Sequence, residues 1–271
     1  MVLPGTKANI AAFLKQDIAK GDITALITPK TNCTAIVKSN ESCVLAGIEE
    51  TIFIAKEKKL MVKAHKKDGQ TARKGEKIIS IQGNNRKILE IERVCLNMIG
   101  RMSGVAMLCA EGKKICKKET LAVTRKTIPG FQDFDKKAAT IAGIWSHRKN
   151  LNDMVLLKEN HLLFFESVQD AIRKAKKKNK KIEIEVENET QAIEAAKEKP
   201  YIIMLDNFSP TQAKATIKKM RQAGFNGKAE LSGGITLKNL KKYCNIGADI
   251  ISMGELTKNA RILDFSMRLE K

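Results

Sequence analysis

The stretch IEIEVENETQAIEAAKEKPYIIMLDN, residues 182–207, decides the fold. It opens on a β-branched run, IEIEVE, passes through a polar and apolar segment of helical period, and ends on a second apolar run, YIIMLDN. A strand, a helix and a strand at this spacing make one βα unit of a parallel sheet. The same cadence extends both ways: LAVT begins at Leu121, MVLLK at Met154, AELSGG at Ala229 and DIISMG at Asp249. Ser209 followed by Pro210 opens a helix that Gly224 closes, and Thr236 opens another predicted to end near Gly247. Repeated βα units form an open doubly wound sheet or a barrel. No GxGxxG follows a first strand, which favours an α/β barrel, incomplete because it falls short of the usual eight strands.

The first hundred residues differ. Mixed apolar runs such as CTAIVKS (Cys33–Ser39) and KIISIQG (Lys77–Gly83) are separated by turn residues, and a helical pattern then runs from Ile88 to about Cys116. They predict an N-terminal α+β domain over residues 1–105, packed also by residues 260–271, ahead of a barrel domain over 106–259.

With 271 residues and 43% hydrophobic content, the chain is long enough to bury a substantial core. No run approaches the roughly 18 uncharged apolar residues of a membrane span, and the start lacks signal-peptide order. A cytoplasmic protein without a membrane partner is therefore expected. The six cysteines form no CxxC pair and sit mostly in apolar stretches, so buried free thiols are expected in place of disulfides or zinc ligands. The net charge of +20 asks for an anionic partner, nucleic acid or a phosphorylated small molecule. The run RKAKKKNKK (Arg173–Lys181) continues the polar face of a helix that begins near Glu166, a solvated face. Aromatics make up only 4% and are not interleaved with basic residues, so no nucleic acid partner is expected.

In a βα barrel the active site lies at the C-terminal ends of the strands. Those ends carry Arg125 and Lys126, Lys158, Glu185 and Glu187, Asp206 and Asn207, Ser232-Gly233-Gly234, and Gly254. One such charge is an ordinary solvated loop residue; six consecutive strand ends describe a site for a large anion. Ser232, Gly233, Gly234 and Gly254 free backbone N–H groups for a phosphate. Glu185 and Asp206 offer hard oxygens suited to Mg2+, or else counter-ions for lysines. Arg125, Lys126, His147, Arg148 and Lys158 are too concentrated for a neutral ligand, and arginine binds carboxylates in bidentate fashion.

At these residues the sequence resembles the quinolinate phosphoribosyltransferase family, along nearly the whole chain. The likeness is carried by GDIT (Gly21–Thr24), VLAG (Val44–Gly47), ERVCLN (Glu92–Asn97), RMSGVA (Arg101–Ala106), TRKTIPG (Thr124–Gly130) and HRKNL (His147–Leu151). It continues in LLKENH (Leu156–His161), EIEVEN (Glu183–Asn188), MLDNFSP (Met204–Pro210), ELSGGIT (Glu230–Thr236) and SMGELT (Ser252–Thr257). The resemblance implies an N-terminal α/β sandwich joined to an incomplete barrel, Mg2+ as cofactor, and a homodimer or higher homo-oligomer. It implies the conversion of quinolinate and phosphoribosyl pyrophosphate to nicotinate mononucleotide, pyrophosphate and carbon dioxide. Arg125, His147, Arg148 and Lys158 would hold the quinolinate carboxylates, with Arg93 reaching in from a second subunit and Lys126 near both substrates. Lys158, Glu185, Asp206 and Asn207 would face the ribose and the magnesium pyrophosphate, the first-named catalytic set being Lys126, Glu185 and Asp206. Ser232, Gly233, Gly234 and Gly254 would receive the 5′-phosphate.

The chain departs from the family pattern in places. Ala142-Gly143-Ile144, then Trp145 and Ser146, stand where a glycine triplet is usual; Lys258 replaces a histidine and Met107 a threonine. Two rivals are a molybdate-transport-associated paralogue of the same fold and a basic nucleic-acid binder on an inactive barrel. TRKT, HR and LLKENH oppose the first, and carboxylates at the phosphate mouth oppose the second.

Overall fold

The computed structural model describes residues 4–178 and 181–270. In chain order its first elements are α1 (Pro4–Ile18), α2 (Ile23–Ile27), β1 (Asn32–Ser39), β2 (Cys43–Val44), α3 (Ile48–Glu57), β3 (Met61–Ala64), β4 (Thr71–Ala72), β5 (Lys77–Asn84) and α4 (Asn85–Ile115). Then come β6 (Thr120–Val123), α5 (Gln132–Ile141), β7 (Val155–Leu157), α6 (Glu159–Leu162), α7 (Val168–Lys176), β8 (Ile182–Val186) and α8 (Glu189–Lys197). The chain finishes with β9 (Ile202–Asp206), α9 (Pro210–Gln222), β10 (Lys228–Ser232), β11 (Ile250–Met253), α10 (Glu255–Lys258) and β12 (Phe265–Glu270).

The chain divides into two compact units, one of Met1–Ala110, Thr127–Gly143 and Asn259–Lys271, the other of Glu111–Lys126 and Ile144–Lys258. The first holds an antiparallel sheet in the order β12-β1-β5-β3. Within it, Ala35 of β1 faces Leu269 on one side and Ile81 on the other. Helix α4 is the one described helix long and apolar enough to cross a bilayer; 72% of its most apolar stretch is buried within the protein, as befits a core helix. Residues 127–143 lie in this unit, whereas the sequence assigns them to the barrel. The cause is packing: Phe131 and Phe134 meet Phe13 of α1, with ring centroids 5.9 and 6.1 Å away. Asp135 of α5 also forms a buried two-pronged pair with Arg101 of α4, at 3.0 and 2.8 Å.

The second unit is a six-stranded parallel sheet in the order β6-β11-β10-β9-β8-β7, and its strands are the six runs read from the sequence. Trp145 adds a lone parallel bridge to Ala122 of β6. Side-chain caps start the helices: Ser167 for α7, Asn188 for α8, and Ser209 for α9 with Pro210 and a reciprocal Gln212 bond. On α7, Arg173 and Lys176 pair with Glu198, and Lys174 with Asp170, so this part of the basic run is a solvated face. Asn179 and Lys180 of that run lie outside the described residues.

Two expectations fail. The helix predicted from Thr236 to Gly247 is only a short 3-10 turn at Leu240–Lys242. The Asn239 side chain accepts the Thr236 N–H at 2.7 Å and donates to the Gly234 carbonyl at 3.0 Å, holding the backbone in a turn. Cysteine pairing was also missed: Cys33, Cys43, Cys95 and Cys109 are free and buried, but Cys116 and Cys244 form a disulfide with Cα atoms 5.8 Å apart. A separation of 128 residues hides such a pair from any spacing rule.

Candidate active site

At the C-terminal ends of the parallel strands lies a cavity of about 490 Å³. Side-chain alternation builds it. Residues two apart on a strand share a face, so Glu183 and Glu185 point the same way, as do Glu230 and Ser232. The register sets Glu185 beside Met204 and Ser232 beside Asp206. The loop after β6 supplies Arg125 and Lys126, the segment around Trp145 supplies His147 and Arg148, and Lys158 follows β7 directly. All of Arg125, Lys126, His147, Arg148, Lys158, Glu185, Asp206 and Ser232 therefore line one cavity.

Charges alternate around this space. Lys158 is ion-paired with Glu185. Burial pushes the Glu185 carboxyl above its ordinary range; Lys158 opposes that shift and Asp206 reinforces it. Burial and the neighbouring Arg125 charge lower the pKa of Arg148. Two carboxylates at the ends of adjacent strands, β8 and β9, offer the hard oxygen donors that a divalent cation such as Mg2+ takes. Glu185 and Asp206 thus fit Mg2+.

The floor is more unusual. His147 is 8% exposed, and its Nε2 lies 3.3 Å from Glu183 Oε2 and 3.3 Å from Glu230 Oε2, both glutamates being wholly buried. Ser252 donates its hydroxyl proton to the other oxygen of Glu230. The Glu183 contact has ion-pair distance without hydrogen-bond alignment, and neither Glu183 oxygen has a hydrogen-bond partner. Burial disfavours charge on His147, but the two carboxylates outweigh it and raise its pKa to about 9. Against full protonation stands the Arg148 N–H, which donates to Nδ1 at 2.8 Å and needs a lone pair there. The hydrogen bond decides the tautomer: Nε2 carries the ring proton, and the extra proton sits on the carboxylate side, where burial raises the Glu183 pKa.

The loop geometry explains the glycines. Gly233 and Gly234 have φ of 88° and 61°, and a Cβ on Gly233 would fall 2.3 Å from Asn207 Oδ1. A Cβ on Gly254 would come within 3.1 Å of the Lys126 side chain. Thr257 donates to the Lys126 carbonyl at 2.9 Å and fixes that loop.

Gly233, Gly234 and Gly254 lie beside cavity residues without lining the cavity, and two further sequence-predicted residues stand apart. Asn207, with φ of 58°, donates to Asp206 at 2.6 Å but lines a separate hollow with Phe208 and Thr211. Arg93 is exposed on α4, within the first unit. Sequence reasoning missed Thr124, Ser252, Glu183 and Glu230. The signal for three of them was alternation, since Glu183, Glu230 and Ser252 each stand two residues before a chosen position.

Family comparison agrees with this geometry. The family model described as "Quinolinate phosphoribosyl transferase, N-terminal domain" matches residues 22–103, and that of the C-terminal domain matches residues 103–268. The chain belongs to the quinolinate phosphoribosyltransferase family. A relative from Methanothermobacter thermautotrophicus, a probable nicotinate-nucleotide pyrophosphorylase [carboxylating], is 34% identical over 96% of this chain and 97% of its own. The rat nicotinate-nucleotide pyrophosphorylase [carboxylating] is 31% identical over 98% of this chain and 92% of its own. The solved nicotinate-nucleotide pyrophosphorylase of Francisella tularensis superposes with a TM-score of 0.93 at 32% identity, covering 99% of this chain and 98% of that one. The mixed α/β architecture is the family's.

Proposed function

We propose that this chain is the decarboxylating quinolinate phosphoribosyltransferase of NAD biosynthesis, joining quinolinate to phosphoribosyl pyrophosphate and releasing nicotinate mononucleotide, pyrophosphate and carbon dioxide. One observation carries the proposal: Arg125, Lys126, Arg148 and Lys158 converge on the cavity that also holds Glu185 and Asp206. A dicarboxylate and a pyrophosphate need both signs of charge in one place, and relatives of matching length bear the corresponding name.

The pyridine nitrogen of quinolinate attacks the anomeric carbon as pyrophosphate leaves, so the protein positions and stabilises and supplies no nucleophile. Arg125, His147, Arg148 and Lys158 hold the carboxylates, with Lys126 between the two substrates. Glu185 and Asp206 face the ribose, where positive charge develops, and hold Mg2+ directly or through water. The cation, when bound, neutralises pyrophosphate charge. Ser232, Gly233, Gly234 and Gly254 receive the 5′-phosphate. Arg93, placed outside the unit that carries the cavity, completes the site of a neighbouring subunit in a homodimer or higher homo-oligomer.

Incubation with quinolinate, phosphoribosyl pyrophosphate and Mg2+ should yield nicotinate mononucleotide, with turnover abolished by excess chelator and in Asp206→Ala. Nicotinate lacks one carboxylate and leaves a cation that the bound substrates cut off from water without its partner, at a cost of about 3–5 kcal/mol, so it should be used at least a hundredfold less well. Equal turnover of nicotinate would remove the dicarboxylate from the account.

A further inference from the structure

We infer that Glu230, with Glu183 beside it, is a positioning residue for the dicarboxylate half of the site: a buried acceptor that holds the His147 ring and, through it, the main chain of Arg148. The inference rests on the function proposed above.

Barrel interiors are filled mainly by branched apolar side chains, and a wholly buried carboxylate without good partners is costly. Here two occupy adjacent depth in the sheet, Glu183 on β8 and Glu230 on β10, and both face one imidazole at 3.3 Å. Both ring nitrogens of His147 are thereby engaged, Nε2 with the carboxylates and Nδ1 with the Arg148 N–H at 2.8 Å. The imidazole is a link between the buried acids and the loop above them.

That loop needs holding. His147 has φ of 53°, a backbone region that residues with a Cβ seldom adopt, and its ring–backbone bond offsets the strain. Trp145 packs on the ring with centroids 4.5 Å apart, so the imidazole is fixed by a flat apolar neighbour as well as by its edge contacts. Ser252 seats Glu230 from below. The series Ser252, Glu230, His147 and Arg148 N–H runs from the sheet to the residue whose guanidinium serves the substrate.

The test separates quinolinate from phosphoribosyl pyrophosphate. Glu230→Leu removes the acceptor and should raise KM for quinolinate about tenfold or more, with KM for phosphoribosyl pyrophosphate changed by no more than about twofold. Glu230→Gln keeps an acceptor oxygen and should recover most of the loss. Ser252→Ala disturbs packing least and should raise the quinolinate KM several-fold, so the test survives a leucine variant that does not fold. A parallel rise in both KM values, or a fall in kcat with both unchanged, overturns the inference. A second arm needs no turnover. The chain has three histidines, so 15N-imidazole spectra should show His147 as one fixed tautomer, protonated at Nε2, in wild type and averaging in Glu230→Leu. Averaging in wild type overturns the positioning role even if quinolinate is the substrate, whereas a fixed tautomer without quinolinate turnover overturns only the function.

Discussion

At the scale of single residues, the mouth of the site was legible and its floor was not. Arg125, Lys158 and Asp206 announce themselves because charge recurs at the end of one apolar run after another, which a single solvated loop residue does not explain. Glu183 and Glu230 sit inside such runs, where alternation on a half-exposed strand explains a glutamate equally well; only the closed interior of the sheet makes them costly. The floor has a measurable consequence. His147 and its two buried glutamates titrate as one cluster whose proton affinity is raised in the fold, for His147 from 6.5 to about 9, so folding takes up a proton that is held between ring and carboxylates. A raised folded-state pKa gives stability that is fully present below the unfolded value and lost as pH climbs through the folded one. The raised Glu183 pKa has the same sign. Wild type should therefore lose stability between about pH 6.5 and 9, by up to roughly 3 kcal/mol, while His147→Asn shows a flatter profile. Urea unfolding across that range reads the difference, and parallel profiles for the two proteins would contradict it.

At the scale of elements, strands and capped helices were readable because their signals are local, whereas close approaches and cross-links were not. Helix α4 shows the first case. Leu263 N–H donates to the Gly100 carbonyl at 3.1 Å, and a Cβ on Gly104 would lie 1.9 Å from the Arg261 carbonyl oxygen, so a chain segment crosses the helix directly on its glycines. Alanine favours a helix over glycine by about 1 kcal/mol, yet Gly104→Ala should lower stability by about 2 kcal/mol or more, because backbone cannot retreat as a side chain can. Gly112 provides the control. Its nearest neighbour is the end of the Leu121 side chain at 3.1 Å, so Gly112→Ala should be near neutral in the same denaturation experiment. The Cys116–Cys244 bond is the second case, and thiol titration in denaturant should count four reactive cysteines before reduction and six after it. Closing so long a loop contributes about 4–5 kcal/mol in the chain-entropy view, so reduction should also lower the unfolding midpoint. Six thiols without reductant would show that the pair remains reduced.

At the scale of the whole molecule, composition pointed to an anionic partner, and the repeated βα cadence implied a parallel sheet. Residues 127–143 fall in the first compact unit because of aromatic packing by Phe131 and Phe134, which has no period in the sequence. Arg93 poses the remaining question. It is exposed on α4, outside the unit that carries the cavity, although the family motif ERVCLN gives it a place at the substrate. If it serves a neighbour, Arg93→Ala and Asp206→Ala should each be inactive alone and should complement when subunits exchange. In a mixed dimer, the subunit that keeps Asp206 receives an intact Arg93 from its partner, and the other subunit's site lacks both groups. Random pairing makes half the dimers mixed, each with one competent site of two, so activity should recover to about a quarter of wild type. Mixed dimers demonstrated by mass spectrometry without any recovery would return Arg93 to its own subunit.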